Sequence, residues 1–463
     1  MGATRWNHQL MLPFAEVEAG EARGNLRQGA EAPKAACETE DPVSAPHAVM
    51  EVICSRENMT AALWRVRANK GAAGVDGMTI HDLKGHLKAH WPRIRDELLS
   101  GTYRPMPVRR VEIPKPDGGV RKLGIPTVVD RLVQQAVLQV LSPLWEPTFS
   151  EYSYGFRPGR GAHQAVGQAQ ACVAEGRTWV VDIDLEKFFD RVNHDRLMAR
   201  LARGITDKRL LKLIRGYLNA GVMENGLVSP TREGTPQGGP LSPLLSNIVL
   251  DELDRELERR GHKFVRYADD CNVYVRSERA GRRVMGGITE FITQKLKLKV
   301  NQNKSAVDRP HKRKFLGFSF TAGKVLKRRI SPQALKRFRR KVKQLTRRTR
   351  GIGAQRMVEQ LTVYLRGWIG YYGYCQTPSV LKDLDSWIAR RLRCVAWKQW
   401  RHPRRRFREL VRRRIPPAWA KSVAIRKPNP WRASHDRAVE WALPKRLWYG
   451  LGLLSLEAAW GDT

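Results

Sequence analysis

The chain has 463 residues, and 84 Lys and Arg against 45 Asp and Glu give it a formal net charge of +39 at pH 7. Hydrophobic residues make up 42% of it, which excludes disorder throughout and allows a sizeable core in roughly three domains. A positive surplus of this size exceeds what internal ion pairs can use, and it favours nucleic acid as the partner. Charge alone does not separate an enzyme from a basic protein that only coats RNA.

The cysteines and the hydropathy pattern exclude several other classes of protein. The six cysteines form no C-x-x-C pair, so neither a zinc ribbon nor a dense disulfide framework is predicted, and scattered thiols fit a reducing cytoplasm. No stretch approaches the ~20 apolar residues of a membrane span. The N-terminus also lacks the apolar core of a signal peptide. We therefore expect a cytoplasmic protein with no membrane partner.

Composition divides the first part of the chain into three segments. Residues 1–48 are rich in Ala, Glu, Gly and Pro without a sustained apolar period, which predicts a disordered leader. Residues 49–92 contain a helical pattern at 59–66 and a Gly-rich turn at 70–77. Between residues 93 and 322, short β-like runs alternate with helical periods, which predicts a mixed α/β body.

The rest of the chain is predicted to be helical and basic. Between residues 323 and 400, three patterns beginning near Leu335, Val358 and Leu381 each place apolar residues on one helix face and mostly Arg and Lys on the other. Residues 401–463 are more basic and less regular. Eight arginines there are too dense for a merely solvated face, and we expect them to bind nucleic-acid phosphates: Arg401, Arg404, Arg405, Arg406, Arg408, Arg412, Arg413 and Arg414.

Two acidic segments of the mixed body are candidates for catalysis. In residues 179–185, side chains that alternate between the two faces of a strand place two aspartates, including Asp184, on the same face of an otherwise apolar strand. Burying their negative charges is unfavourable unless a cation binds them. In residues 264–275, apolar β-formers surround Asp269 and Asp270, the pattern of a hairpin with carboxylates at its turn. Each segment alone fits an ordinary solvated structure. Together they can converge on two Mg²⁺ ions, which prefer oxygen ligands.

Seven motifs resemble those of reverse transcriptases encoded by bacterial group II introns, with the attached maturase region, and the resemblance as a whole spans roughly residues 55–430. In the order of that family they are Lys70–Thr79, Ile113–Pro126, Ser153–Arg160, Asp184–Asp190, Gly234–Pro243, Tyr267–Asp270 and Phe315–Phe318. The resemblance implies an α/β (α+β) right-hand polymerase. Its parts would be an N-terminal extension (49–92), fingers and palm (93–322), an α-helical thumb or maturase domain (323–400) and a basic C-terminal tail (401–463).

The resemblance also implies a set of metal ligands. Asp184 and Asp269 would bind two Mg²⁺ ions directly, with Asp270 as a supporting acid and the backbone carbonyl of Leu185 as a further ligand. Asp182 shares a face with Asp184 but is not a position to which the family assigns metal. We expect a supporting or structural role for it.

The resemblance further implies that four residues contact the incoming nucleotide or the template. Lys115 and Arg121 would bind its triphosphate, because the family's fingers supply positive charge where phosphates arrive. Phe189 would exclude a 2′-hydroxyl and so favour deoxynucleotides, and Gln237 would contact the nucleotide or template. The residues alone also fit simpler explanations. Lys115 and Arg121 fit ordinary surface charges, Phe189 fits a core phenylalanine, and the segment with Gln237 fits an ordinary loop.

The sequence departs from the family pattern in two places. Residues 303–305 read Asn-Lys-Ser where the family has a Glu-Lys-Thr-like core, which leaves Lys304 in place but loses the acid. Residues 415–463 contain no cysteine and only one histidine, so we expect no H-N-H nuclease for second-strand cleavage. The primer would then come from elsewhere, such as nascent strands at replication forks.

We therefore predict an RNA-directed DNA polymerase that binds group II intron RNA and assists splicing and mobility. Its partners would be template RNA, primer or target DNA and dNTPs, in the bacterial cytoplasm and associated with the nucleoid. The sequence gives no indication of oligomeric state. Three alternatives stay open: a domesticated reverse transcriptase in phage defence or DNA repair, a non-catalytic RNA-folding splicing cofactor, and an RNA-dependent RNA polymerase. Phe189 and the Tyr267-Ala268 context argue against the last by resemblance.

Overall fold

A computed structural model describes residues 49–114, 119–224, 226–230, 233–235, 238–323, 325–426 and 429–461. The predicted disordered leader, residues 1–48, lies outside these ranges. The described residues contain ten strands: β1 (Val108–Pro114), β2 (Val120–Ile125), β3 (Trp179–Ile183), β4 (Val222–Glu224), β5 (Leu227–Ser229), β6 (Lys263–Tyr267), β7 (Asp270–Val275), β8 (Ala306–Asp308), β9 (Phe318–Phe320) and β10 (Arg328–Ile330).

They also contain nineteen α-helices and a short 3₁₀ helix at Glu146–Thr148. The first ten helices are α1 (Val49–Ile53), α2 (Arg56–Ala68), α3 (Leu83–Leu99), α4 (Val128–Trp145), α5 (Ala162–Ala174), α6 (Phe188–Arg191), α7 (His194–Gly204), α8 (Lys208–Asn219), α9 (Ser242–Arg259) and α10 (Glu278–Gln294). The others are α11 (Pro332–Leu345), α12 (Ala354–Tyr372), α13 (Ser379–Gln399), α14 (Pro403–Arg412), α15 (Pro417–Ile425), α16 (Pro430–Ala433), α17 (Arg437–Ala442), α18 (Lys445–Gly450) and α19 (Leu456–Gly461).

The chain forms two compact units. The first consists of the residues up to Gly161 with Val181–Val275 and Arg279–Val307, and the second of Ala162–Val180, Arg276–Glu278 and the residues from Asp308 onward. In the described residues, no helix is both long and apolar enough to cross a membrane.

The first unit contains two four-stranded sheets. One has the strand order β2-β1-β4-β5. In it β1 pairs antiparallel with β2, from Arg109 opposite Ile125 to Pro114 opposite Val120, and parallel with β4. The other has the order β6-β7-β3-β8 and carries the acidic segments. The predicted hairpin is confirmed, because β6 and β7 are antiparallel and Tyr267 pairs with Asp270.

The second sheet is more deeply buried than simple alternation predicts. In β3, both Val180 and Val181 are buried, and Cys271 to Val275 of β7 are buried without interruption. Such continuous burial occurs when both faces of a sheet are covered. Asp182, Asp184 and Asp269, on or beside this sheet, are consequently only partly open to solvent, whereas Asp270 is exposed.

The three helical patterns predicted after residue 323 form α11, α12 and α13 in the second unit. Their apolar residues are core, and Trp368 packs against Phe338 and Tyr372, with ring centroids 4.3 Å and 4.8 Å apart. These aromatic residues therefore stabilise the bundle, as the apolar periodicity predicted. Their positions are explained by this packing, without any stacking of the rings on nucleic-acid bases.

The basic C-terminal region is more regular than its sequence pattern indicated. Residues 403–461 form the six helices α14 to α19, none longer than ten residues. Helices this short do not span enough turns for a 3.6-residue apolar period to emerge. Proline begins three of them, at Pro403, Pro417 and Pro430, where its missing amide hydrogen costs nothing.

Candidate active site

Asp184 directly follows β3 and is held through its backbone by the segment before β8. Its amide donates to Ser305 Oγ at 3.0 Å, and its carbonyl accepts from the Asn301 amide at 2.8 Å. Lys304 Nζ lies 3.8 Å from Asp184 Oδ2. The Asn-Lys-Ser segment thus supports Asp184 without the acid that the family pattern has there. Ser305 is a site residue that the sequence did not single out.

Leu185, the next residue, is buried and forms an antiparallel bridge with Val300. Asp182 lies on β3, and the side-chain amide of Asn272, oriented to donate, is 3.1 Å from Asp182 Oδ1. An amide neighbour within the sheet supports the structural role expected for Asp182 rather than metal binding.

Asp269 lies in the turn between β6 and β7, after Ala268, whose φ of 55° is left-handed. Asp269 is half-buried, whereas Asp270, the first residue of β7, is exposed. Burial raises the pKa of Asp269 above its ordinary value, and the negative charge of Asp184 acts in the same direction. The positive charges of Arg121 and Arg266 oppose this rise. The charges of Asp184 and Arg121 thus both act on Asp269.

Arg266, the fourth of the five residues of β6, is a second residue that the sequence did not single out. Its side chain and that of Asp254 on α9 are both 0% exposed. An arginine inside an otherwise apolar strand, three residues before a proposed metal ligand, was the available signal. Its guanidinium donates to Asp254 Oδ1 (2.7 Å) and Oδ2 (2.5 Å), Asn247 Oδ1 (3.0 Å), Ser153 Oγ (2.8 Å) and the Ala268 carbonyl (3.0 Å).

The loop at residues 152–155 packs against the same turn. The Tyr154 amide donates to the Arg266 carbonyl, and the Arg266 amide donates to the Tyr152 carbonyl, both at 2.9 Å. A Cβ on Gly155 would lie 2.2 Å from the amide nitrogen of Ala268, closer than any side chain can approach. Gly155 is therefore required because the two backbones touch at this point.

Phe189 on α6 lines a cavity of ≈ 230 Å³ together with Lys122, Gly124 and Gly234. Its carbonyl accepts from the Thr235 amide at 2.6 Å, so its backbone is fixed by the segment that includes Gly234. Gly234 has a φ of 95°, and a Cβ there would lie 2.9 Å from the Phe189 carbonyl. The cavity combines this aromatic ring with the basic side chains of Arg110 on β1 and Lys122 on β2.

The predicted nucleotide contacts can be located only in part. Arg121 is exposed on β2, and its charge acts on Asp269. Lys115 and Gln237 lie outside the described residues.

The eight predicted nucleic-acid-binding arginines of the second unit divide into two groups. Arg406 packs over Trp397, with its Cζ 4.7 Å from the ring centroid, and Arg413 packs over Trp400 at 5.1 Å. Both are partly buried, and Arg413 also pairs with Glu409. The other six are exposed: Arg401, Arg404, Arg405, Arg408, Arg412 and Arg414. Of these, Arg412 also donates to Glu409 at 3.0 Å.

The carboxylates of the first unit have the donor chemistry that magnesium prefers. Within the described residues, no group of three or more His, Cys, Asp or Glu side chains is arranged to hold a metal ion. Magnesium, however, commonly binds through one or two carboxylates and completes its octahedron with water and substrate phosphates. Asp184 and Asp269 offer two such carboxylates and no nitrogen or sulfur donor, so these residues fit the ion.

Comparisons with known proteins agree with the motifs. Residues 113–320 match the family model described as reverse transcriptase (RNA-dependent DNA polymerase), and residues 335–414 match that of the group II intron maturase-specific domain. The chain therefore carries a reverse transcriptase domain followed by a group II intron maturase-specific domain. Both matches, and their order along the chain, agree with the resemblance that the motifs indicated.

Individual relatives share part of this arrangement. Protein YkfC of Escherichia coli (strain K12) is 42% identical over 226 residues, 48% of this chain and 59% of that protein. Group II intron-encoded protein LtrA of Lactococcus lactis subsp. cremoris is 40% identical over 200 residues, 43% of this chain and 33% of that protein. The match thus covers between one third and about three fifths of these relatives. Among solved structures, a chain of the partial Cas6-RT-Cas1--Cas2 complex has a TM-score of 0.34 and 23% identity, covering 53% of this chain and 42% of that chain.

We predict that Gly155→Ala destabilises the first unit, because the added Cβ would meet the Ala268 amide at 2.2 Å. The expected loss in free energy of unfolding is about 1–3 kcal/mol, the usual cost of forcing an atom into a filled space. Urea unfolding measures it. Gly161→Ala is the control, since a Cβ there meets no heavy atom within 4 Å. Gly161 directly precedes α5, and replacing it with alanine should lower the free energy of unfolding by less than about 1 kcal/mol, the usual loss at a position just before a helix. Equal effects of the two substitutions would contradict the close approach.

Proposed function

We propose that the first unit catalyses RNA-directed DNA synthesis, adding deoxynucleotides to the 3′-hydroxyl of a primer with the help of two Mg²⁺ ions. The observation that carries this proposal is the approach of Asp184 and Asp269. Asp184 follows β3 and Asp269 lies in the turn before β7, and β3 and β7 are neighbours in one sheet. Besides burial, the negative charge of Asp184 raises the pKa of Asp269. Two partly buried carboxylates held against their own repulsion are costly unless a cation is bound between them.

The surrounding residues support a division of roles. Asp184 and Asp269 would bind magnesium directly, with Asp270 beside them and the Leu185 carbonyl as a further oxygen donor. When bound, magnesium would lower the pKa of the primer hydroxyl and stabilise the charge on the departing pyrophosphate. Arg121 would bind the triphosphate, as we also propose for Lys115, and would orient it toward the carboxylates.

We predict that Asp269→Asn combined with Asp270→Asn abolishes primer extension on an RNA template with dNTPs. Removing the charge that holds the metal should lower the extension rate by at least about 1000-fold, since metal binding supplies several kcal/mol of transition-state stabilisation. RNA affinity, measured by filter binding, should stay nearly unchanged because neither residue is one of the exposed arginines that we propose to bind RNA.

Asp195→Asn is the control for this experiment, because Asp195 is an acid on α7 with an 81% exposed side chain. It should extend primers like the native chain. Persistent extension by the double variant would contradict the catalytic assignment. A native chain that binds intron RNA but never extends a primer would favour the non-catalytic splicing cofactor instead.

We propose further that Phe189 selects the sugar of the incoming nucleotide. The ring lines the cavity bounded by Lys122 of β2, so a nucleotide there would meet a side chain too large to admit a 2′-hydroxyl. Gln237 is proposed from the resemblance to contact the nucleotide or template nearby.

Phe189→Val should therefore raise the use of ribonucleotides relative to deoxynucleotides. An increase of about 10- to 100-fold in the ratio of kcat/KM values is expected, the size typical of a hydrophobic pocket that gains a few methylenes of space. Single-nucleotide incorporation assays with paired dNTP and rNTP measure it. Phe189→Tyr retains the bulk and should keep the native ratio. An unchanged ratio in the valine variant would exclude the gate.

The second unit supports a separate RNA-binding role. We propose that it binds group II intron RNA to assist splicing and mobility, consistent with the maturase-specific domain at residues 335–414. Its exposed arginines would neutralise phosphates. Arg406 and Arg413 are better explained by their packing on Trp397 and Trp400.

Replacing the exposed arginines of α14, Arg404, Arg405 and Arg408, with Gln should weaken binding of intron RNA and flatten its salt dependence. Each lost phosphate contact should reduce the slope of log K against log salt by about 0.7–0.9. Arg203→Gln with Lys208→Gln and Lys212→Gln removes the same charge from exposed positions of the first unit. A control that lowers the slope equally would mean that net charge, not this helix, governs binding.

A further inference from the structure

The buried Arg266 is unusual because its charge is completely removed from water. Neither its side chain nor that of Asp254 is exposed, and two hydrogen bonds of 2.7 Å and 2.5 Å join them. Desolvating such a pair costs about as much as its attraction returns, and well-packed apolar residues of similar volume are often at least as stabilising. Net stability alone therefore does not account for this pair.

The guanidinium also fixes the turn that presents Asp269. Arg266 donates to the carbonyl of Ala268 at 3.0 Å, only two residues along the chain. Ala268 has a φ of 55°, a left-handed conformation that is unfavourable for a residue with a Cβ. A hydrogen bond to this carbonyl favours the left-handed conformation, and that conformation determines the direction in which the next residue leaves the strand.

The same guanidinium connects the turn to two other segments. It donates to Asn247 on α9 and to Ser153 in the loop at residues 152–155. Asn247 in turn donates to the Gly155 carbonyl at 2.9 Å, and Gly155 touches the Ala268 amide. The planar, five-donor guanidinium can satisfy these acceptors at fixed angles, whereas a lysine ammonium cannot reach them all.

We propose that the Arg266–Asp254 pair is a positioning device for Asp269, and that it sets the rate of nucleotide addition without contacting substrate. This inference rests on the proposed polymerase function. Asp254 orients the guanidinium, the guanidinium fixes the Ala268 carbonyl, and the turn aims the Asp269 carboxylate toward Asp184. Because the pair touches neither nucleotide nor primer, its loss reduces kcat and leaves KM for dNTP nearly unchanged.

Two variants separate positioning from folding. Arg266→Lys keeps a positive charge beside Asp254 but cannot donate to Asp254 and the Ala268 carbonyl at once. The double variant Arg266→Met with Asp254→Leu removes both charges together, so no unpaired ion remains buried. The control is Arg200→Met with Asp251→Leu, a partly buried pair between α7 and α9 whose acid lies three residues before Asp254.

Three quantities are measured on the full chain: the free energy of unfolding in urea, amide hydrogen exchange of the segment 264–275, and steady-state primer extension. In both Arg266 variants we expect kcat to fall about 100-fold, the cost of a displacement near 1 Å, while KM for dNTP stays within about threefold. Exchange in the turn should be faster in both, and the double variant should still unfold in one cooperative urea transition, because it leaves no unpaired ion buried. The control pair should leave kcat and exchange in the turn unchanged.

A native kcat and native exchange in either folded Arg266 variant would overturn the proposal. So would a kcat that falls equally in the control pair, because the effect would then follow general loss of α9 packing. Failure of the native chain to extend any primer would count against the polymerase function instead. The exchange measurement would still decide whether the pair holds the turn.

Discussion

The site depends on holding two carboxylates close together in a partly buried place where they repel each other. Burial raises the pKa of Asp269, and the negative charge of Asp184 raises it further. Side-chain flexibility would relieve the repulsion between the two carboxylates by letting them turn apart. The backbone is fixed beside both residues, at Asp184 by Ser305 and Asn301 and at Asp269 by the left-handed Ala268. A divalent cation bound as we propose would then gain from an arrangement already formed.

This constraint explains why residues far apart in the sequence lie around one turn. The loop at residues 152–155 contributes backbone, α9 contributes Asn247 and Asp254, and β6 contributes Arg266. Each hydrogen bond is worth about 1 kcal/mol in net stability. Their combined effect is geometric, since the side chains of a site keep their positions only when neighbouring residues lock their conformation.

The sequence predicted the elements of this site better than their connections. Period-2 alternation and the β-formers around Asp269 were sufficient to identify β3 and the β6–β7 hairpin, because those signals are local. Ser305 and Arg266 escaped prediction because their importance lies in partners 121 and 12 residues away in sequence. Single-sequence patterns contain no record of such pairings. For the same reason the short helices after residue 403 were predicted only as a basic region.

The arginines of the second unit show why composition overstates a binding surface. A count of charges treats all eight arginines between residues 401 and 414 alike, but Arg406 and Arg413 lie over tryptophan rings, where their planar groups add packing and cation–π attraction. Such residues stabilise the helices that carry the others. The phosphate binding that we propose would then fall to the exposed residues, among them Arg404, Arg405 and Arg408. A net charge of +39 does not separate arginines that pack from arginines that are free to bind phosphate, whereas the burial of each side chain does.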